Sequence, residues 1–458
     1  MLLTKTKSCT RIRLVAVSIL FSFVSPSAAQ VFELESFTLD NGLEVVIIPN
    51  KRAPVVTQLL MYRVGAADEP WGKSGIAHFF EHLMFKATTN RKNGEFSDLV
   101  AAYGGRDNAF TARDYTGYYQ TVANDQLGLI MELEADRMRN LLIDDDQIEP
   151  ERGVILEERK SRTDNNPSQR LFEQAWAATF RNHPYGIPII GWEHEIKQLS
   201  KQDLREFYDL WYAPNNAILV IGGDVEVEDV RKLAELHYGP LEPSSGINEH
   251  RERPQEPPQQ SARRVVLVDE QVSTPFISVY QQVPSYASSK RQGKPELGYA
   301  LTLLSEIISE GGRGFLYKDL VQEKELAVGA GSFYVDDSYD DTIFGFYVSV
   351  RSGIEPEATE EAMWKALLEF IEKGATQEQL DAAKQRLLDS VYLTRDNILS
   401  IPRIVGVAMA TGSTLEEVQR WPDYIDAVTL EQVNEAAKLL TNRDIAVTSV
   451  LKRPETTK

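Results

Sequence analysis

Apolar and polar residues alternate along 32–50 through the turn Asp40-Asn41-Gly42, which predicts a β-hairpin, and 55–64 reads as the next strand. A loop rich in Gly, Pro and charge, 65–75, then gives way at 74–89, SGIAHFFEHLMFKATT, to apolar and small residues at helical spacing, with Ser74 expected to cap the helix. A short helix at 95–103 ends at Gly104-Gly105. The stretch 108–122, NAFTARDYTGYYQTV, is rich in Thr, Tyr and Phe and reads as one or two strands. Amphipathic helices follow at 125–140 and 149–162, then helices at 168–180 and 201–211, a strand at 217–221 and a helix at 227–237.

Residues 241–264 break this pattern. Pro243, Pro254, Pro257 and Pro258 stand among Ser, Gln, Glu and Arg, the composition of an exposed linker. Beyond it the pattern repeats with a period of about 220 residues. The helix, Asn turn and apolar strand of 201–224 recur at 430–451, and 376–397 echoes the helix at 149–162. The expectation is an α+β protein of two homologous domains, each an antiparallel or mixed sheet flanked by helices. Its parts are 1–29, a leader; 30–240; the linker 241–264; and 265–458.

The leader has a basic start (Lys5, Lys7, Arg11, Arg13), an apolar run from 14 to 24 and the small residues Ser27-Ala28-Ala29, the signature of a cleaved signal peptide. The run is too short for an ordinary membrane span, so an exported, periplasmic or secreted protein is expected, with no stable membrane insertion after cleavage. Its removal takes the formal charge from -19 to -23, which disfavours nucleic acid and anionic membranes as partners. The one cysteine, Cys9, leaves with it. Only histidine and carboxylate then remain to hold a borderline cation such as zinc.

Two of the six histidines, His78 and His82, are four residues apart on the predicted helix and leave the same face, with Glu81 between them. His-x-x-Glu-His is the inverted zincin motif: two imidazoles for zinc and a carboxylate that can take a proton from bound water. On the helix at 149–162, Glu151, Val154, Ile155 and Glu158 fall at intervals of three and four, placing two carboxylates on one apolar stripe while Glu157 points elsewhere. Such a stripe is either a site or the face of an ordinary amphipathic helix. His183 and His194 have no second ligand at helical spacing and read as structural. The glycine-rich 310–314 lacks the spacing of a phosphate loop and reads as a turn.

GIAHFFEHLMFKAT, GGRDNAFTARDYTGYY, ERGVILEE and HPYGIPIIGW through WYAPNNAILVIGGD, in that order, resemble the pitrilysin-type (inverzincin) metallopeptidases, in the half-length branch related to mitochondrial processing peptidase. The resemblance covers most of 33–240. It implies a zinc endopeptidase with His78, His82 and Glu158 as ligands to one Zn2+ and Glu81 as general base; the alternative is a non-catalytic or structural subunit that binds peptides or metal without turnover, against which intact Glu81 argues. Glu158 lies 76 residues beyond His82, near where the family has its third ligand, and Glu151 corresponds to the family's supporting acid. The strand edge Asn108-Ala109-Phe110 is implied to pair with the backbone of a peptide substrate. The second half of the chain has no histidine from Val265 onward. There the family pattern Leu-Arg-x-x-x-x-Leu-x-Tyr is matched by Leu320 to Val328, with Val321 and Val328 where Arg and Tyr stand. That departure implies a heterodimer in which a paralogous chain supplies the Arg and Tyr. Otherwise the valines pack in a core and Arg313 or Tyr317 substitutes.

Overall fold

The alternating segments at the start pair as their pattern requires, β1 (Glu35–Thr38) antiparallel to β2 (Glu44–Pro49). The computed structural model describes residues 34–248, 251–310, 313–394 and 397–454; the expected leader lies outside them. The first half continues with β3 (Val55–Tyr62), α1 (Ile76–Leu83), α2 (Glu95–Ala102), β4 (Arg106–Thr111), β5 (Thr116–Ala123), α3 (Leu127–Asn140), α4 (Asp145–Arg159), α5 (Pro167–Thr179), α6 (Glu193–Ile196), α7 (Lys201–Trp211), β6 (Ala217–Gly223) and α8 (Val227–His237). The second half holds β7 (Arg263–Val268), β8 (Phe276–Val283), α9 (Tyr286–Arg291), α10 (Pro295–Ser309), the single turn α11 (Phe315–Tyr317), β9 (Ala327–Tyr334), β10 (Thr342–Val350), α12 (Pro356–Lys373), α13 (Gln377–Thr394), α14 (Ser400–Ala410), α15 (Leu415–Gln419), α16 (Trp421–Ala427), α17 (Leu430–Lys438) and β11 (Val447–Lys452). Among the described residues no helix is long and apolar enough to cross a membrane.

Two mixed sheets result, with strand orders β1-β2-β6-β3-β5-β4 and β7-β11-β8-β10-β9. β2 and β6 run parallel, as do β7 and β11, while the other neighbours are antiparallel, so five strands of each sheet follow one plan. Each sheet has its own core. Leu60, Tyr62, Phe79, Phe80 and Ile130 are buried in the first, and Val279, Leu304, Phe344 and Trp364 in the second. The other face of each sheet is covered by the opposite half. α14 lies across β3 and β6, seating Ile401, Val405 and Met409 on Leu59, Met61, Ile218 and Val220. In exchange α5 lies across β7 and β11. The approach is close: a Cβ on Gly406 of α14 would stand 2.8 Å from Met61, and one on Gly222 of β6 2.6 Å from Pro402.

The stretch expected as an exposed linker is in part interior. β7 begins at Arg263, and the side chains of Arg251 and Arg253 insert between the halves. Arg253 reaches Asp68 at 2.7 Å, Asp114 at 2.5 Å and Asp340 at 3.2 Å, joining two carboxylates of the first half to one of the second. Arg251 donates to the carbonyls of Asp114 and Ala410. Proline and charge look alike whether a strand of chain is solvated or threaded through a seam lined with acids. Burial alone would raise Asp114, but Arg253 and Arg251 hold it below its ordinary value. His183 completes the seam as a structural residue. Its Nδ1 accepts from the Tyr185 amide at 3.1 Å, so Nε2 carries the proton toward Asp340, also at 3.1 Å.

Removing one member of a buried charge network strands the rest. Arg253→Met is therefore expected to cost about 3–5 kcal/mol, read as a shift in urea midpoint. Lys232→Met, which breaks the exposed pair with Asp229, should cost under about 1 kcal/mol. Equal shifts would show that the seam contributes nothing special.

Candidate metal centre

An eight-residue helix is too short to stand alone in water, so α1 depends on its surroundings. Ser74 does not cap it as expected: its hydroxyl accepts from the Trp192 amide instead. The buried carboxylate of Glu69 takes the capping role, accepting from the amides of Gly75 and Ala77 at 2.9 Å each. Gly75 sits at φ +87°, and a Cβ there would meet the Ile190 carbonyl at 2.6 Å, so the helix entry is open only to glycine. At the other end fully buried Arg137 donates to the Met84 carbonyl while ion-paired to Glu134.

Held this way, α1 turns His78 and His82 toward α4. His82 Nε2 lies 3.2 Å from Glu158, and His78 Nε2 lies 3.8 Å from it. One ligand atom from each of the three residues falls within 4.8 Å of the others. Zinc binds nitrogen and oxygen at about 2.0–2.2 Å, which requires donors roughly 3–3.5 Å apart, so modest closing of this set fits the ion. The tautomer fits as well. Glu151 accepts from His82 Nδ1 at 2.7 Å, leaving the Nε2 lone pair for a metal, and Lys86 holds the other Glu151 oxygen at 2.5 Å. Burial, then the neighbouring His82, depress His78 to about 4. Burial also acts to lower His82, but the hydrogen bonds to Glu151 and Glu158 outweigh it and lift the ring to about 9, so a metal taking Nε2 displaces a proton there.

Glu81 lies beside the cluster and donates nothing to it. Its carboxylate accepts from Thr111 Oγ1 at 2.6 Å, and burial raises it above the ordinary carboxyl value against the pull of that bond. His78, Glu81, Glu158 and Asn108-Ala109-Phe110 line one cavity of about 810 Å³. β4 is the edge strand of its sheet, and its Ala109 amide donates to the Asn108 side chain at 2.8 Å. The stripe on α4 is narrower than its spacing implied: Glu151 and Ile155 are buried, while Val154 is 51% exposed. Glu157 points to solvent as expected.

Three supporting residues escaped the sequence reading. Thr111 directly follows the Asn-Ala-Phe edge, Lys86 stands four residues after His82, and Arg162 stands four after Glu158 and pairs with it at 2.5 Å. Spacing would have found the last two; Thr111 meets Glu81 only through the fold. His194 is exposed and away from the cluster. Of the valine pair in the second half, Val328 is 54% exposed on the edge strand β9 and Val321 packs partly buried against the second core.

Residues 44–193, which carry the whole cluster, match the model described as insulinase (peptidase family M16), and 198–387 match that of the peptidase M16 inactive domain. The chain belongs to peptidase family M16. It is 35% identical over 352 residues to the zinc protease PqqE of Helicobacter pylori, covering 76% of this chain and 77% of that one. It is 27% identical over 429 residues to a probable mitochondrial-processing peptidase subunit beta of Schizosaccharomyces pombe, covering 91% of each. The crystal structure of a protease from Helicobacter pylori superposes with a TM-score of 0.84 at 29% identity, covering 92% of this chain and all of that one. The M16 resemblance in the sequence is thus borne out, as is the two-domain α+β fold.

The faces of α4 set a ranked expectation. Glu158→Gln should weaken zinc retention under dialysis the most. Glu151→Gln should cost about 10- to 100-fold in affinity, the scale for losing a hydrogen bond behind a ligand. Glu157→Gln should leave metal content unchanged, and a loss equal to that of Glu158→Gln would overturn the assignment of faces.

Proposed function

We propose that this chain is a zinc-dependent endopeptidase acting on peptides or unfolded segments in extended conformation. The observation that carries the reading is Glu81. A carboxylate with no role in closing a structural site sits in the cavity beside three converging donors, oriented by Thr111 on the substrate-edge strand.

In this reading His78, His82 and Glu158 hold one Zn2+. Zinc there would lower the pKa of a bound water toward about 7 and polarise a carbonyl. The rest falls to the protein. Glu151 keeps the proton on His82 Nδ1, and Lys86 keeps Glu151 in place. Glu81 takes the proton of the attacking water and passes it to the leaving amine, a task suited to a carboxyl whose affinity for protons burial has raised. The free edge of β4 at Asn108-Ala109-Phe110 aligns the substrate backbone by strand addition, which selects for extended chains with little regard to side chain.

The substituted positions in the second half extend the proposal to assembly. Valine offers neither the charge-assisted donors of Arg nor the hydroxyl of Tyr, and Val328 stands exposed where it could have reached out. The working form is therefore a heterodimer with a paralogous chain that supplies this pair. The leader-like start supports an exported, periplasmic or secreted location.

Glu81→Gln should keep zinc, by elemental analysis, and lose about 10²- to 10⁴-fold in peptide hydrolysis. Turnover at the wild-type rate would refute the mechanism. For the assembly, the purified chain with zinc should show little hydrolysis until a paralogous chain is added. Full activity alone would rule the heterodimer out.

A further inference from the structure

The cavity that holds the metal cluster extends past it. Beyond His78, Glu81 and the β4 edge, its wall continues to Arg113, to Trp176 on α5 and to the segment 186–190. Nothing in the peptidase reading uses Arg113. Its guanidinium lies over the Trp176 ring, 4.0 Å from the centroid, and its Nε donates to the Tyr185 carbonyl at 3.1 Å. Ring and carbonyl together fix the plane of the fork. The two terminal nitrogens are open: among the described residues they have no acceptor and no carboxylate at ion-pair distance, and they are not sealed from solvent. The same wall holds a second donor in want of an acceptor. Trp176 is 6% exposed, and its indole N–H has no partner among the described residues.

The neighbouring arginines are saturated by comparison. Arg137 is held by Glu134 and the Met84 carbonyl, Arg159 by Glu173 and the Gly191 carbonyl, and Arg162 by Glu158. Arg113 uses one of its five N–H donors. The charge of Asp114 acts on it through space, but Asp114 is itself taken by Arg253 at 2.5 Å and by the Tyr185 hydroxyl at 2.6 Å. Burial lowers the Arg113 guanidinium to about 10, which leaves it charged at neutral pH. Open donors on such a cation are tolerable while water reaches them. They become costly when a bound chain displaces that water, unless the chain brings an acceptor of its own.

We propose that Arg113 binds a carboxylate of the polypeptide held on the β4 edge, through the paired N–H groups of its fork, and so selects substrates with an acidic group beside the cleaved bond. That the ligand is a polypeptide rests on the peptidase reading. The position follows from the chain. Thr111, whose hydroxyl holds Glu81, ends β4, and Arg113 stands two residues on, at most about 7 Å of extended backbone. A group one or two residues from the reacting carbonyl therefore comes within reach of the arginine. A planar carboxylate matches the fork in both shape and charge, whereas an amide of the same shape leaves the charge unpaired. The carboxylate can belong to an Asp or Glu side chain or to the end of the chain.

The test is calorimetric titration of the zinc-loaded Glu81→Gln chain, which holds peptide without turnover, with three neutral-backbone decapeptides. One is capped at both ends with a central glutamate, one is capped with glutamine there, and one is the glutamine peptide with a free C-terminal carboxylate. The glutamate peptide or the free-ended one should bind about tenfold tighter or more than the capped glutamine peptide, and which of them does so names the source of the carboxylate. In the added Arg113→Met substitution that advantage should vanish, with capped glutamine-peptide affinity and zinc content unchanged. Arg113→Lys, which keeps the charge and loses the fork, should retain only part of it. Equal affinities for all three peptides, none measurable included, or an advantage undiminished in either variant, overturn the proposal. Binding is read without hydrolysis, so the two readings fail separately. Hydrolysis by the unmodified chain alongside equal binding sinks this site and leaves the peptidase reading standing; an advantage that depends on Arg113 in a chain that hydrolyses nothing upholds the site alone.

Discussion

Everything at the candidate centre depends on one contact: α1 must lie against α4 so that two imidazoles and a carboxylate, from segments 76 residues apart, converge within the reach of a single small cation. A tetrahedral site tolerates errors of a few tenths of an ångström, and an eight-residue helix cannot supply that precision itself. The surrounding structure does. Glu69 and Gly75 fix the entry of α1, Arg137 its exit, and the Lys86–Glu151 pair the rotation of the His82 ring. Each is a charged or strained element in the interior that is tolerable only because it is fully satisfied, and each constrains the donors more than it stabilises the fold.

The duplicated plan explains how one chain carries such a centre and a second half so unlike it in chemistry. Each half lends a helix to the open face of the other's sheet, α5 to β7 and β11 and α14 to β3 and β6. The loss of histidines from the second copy therefore removes a cluster without removing the packing that held it. The ion pair of Glu306 and Arg386 joins α10 and α13, the helices whose counterparts carry the histidines and Glu158. The seam between the halves is fastened by Arg253 and its three carboxylates, beside the apolar packing of the exchanged helices.

What the sequence reveals and what it hides divide along physical lines. His78, Glu81 and His82 were legible because their spacing and their helix are local. Glu151 and Glu158 were legible by the phase of a helix, yet the same phase placed Val154 inside, where the structure leaves it exposed. A stripe drawn at intervals of three and four is broader than the contact of one short helix upon another. Ser74 looked like a cap because it precedes the helix, but a carboxylate six residues before Gly75 reaches the free amides instead. Thr111 and Arg253 belong to pairings made across the fold, 30 residues and more in sequence, and no local pattern marks them. The strand order was legible only as a repeat: the recurrence of helix, turn and strand at 201–224 and 430–451 foretold two like sheets, and β6 and β11 take the same place in each.

The most direct test of the account is anomalous diffraction at the zinc edge from crystals of the metal-loaded protein. The account predicts one strong peak within about 2.0–2.2 Å of His78 Nε2, His82 Nε2 and a Glu158 oxygen, with Glu81 beside it but not bound to it. A peak that Glu81 ligates directly, one formed without Glu158, or no peak at this cluster in zinc-saturated crystals would contradict it.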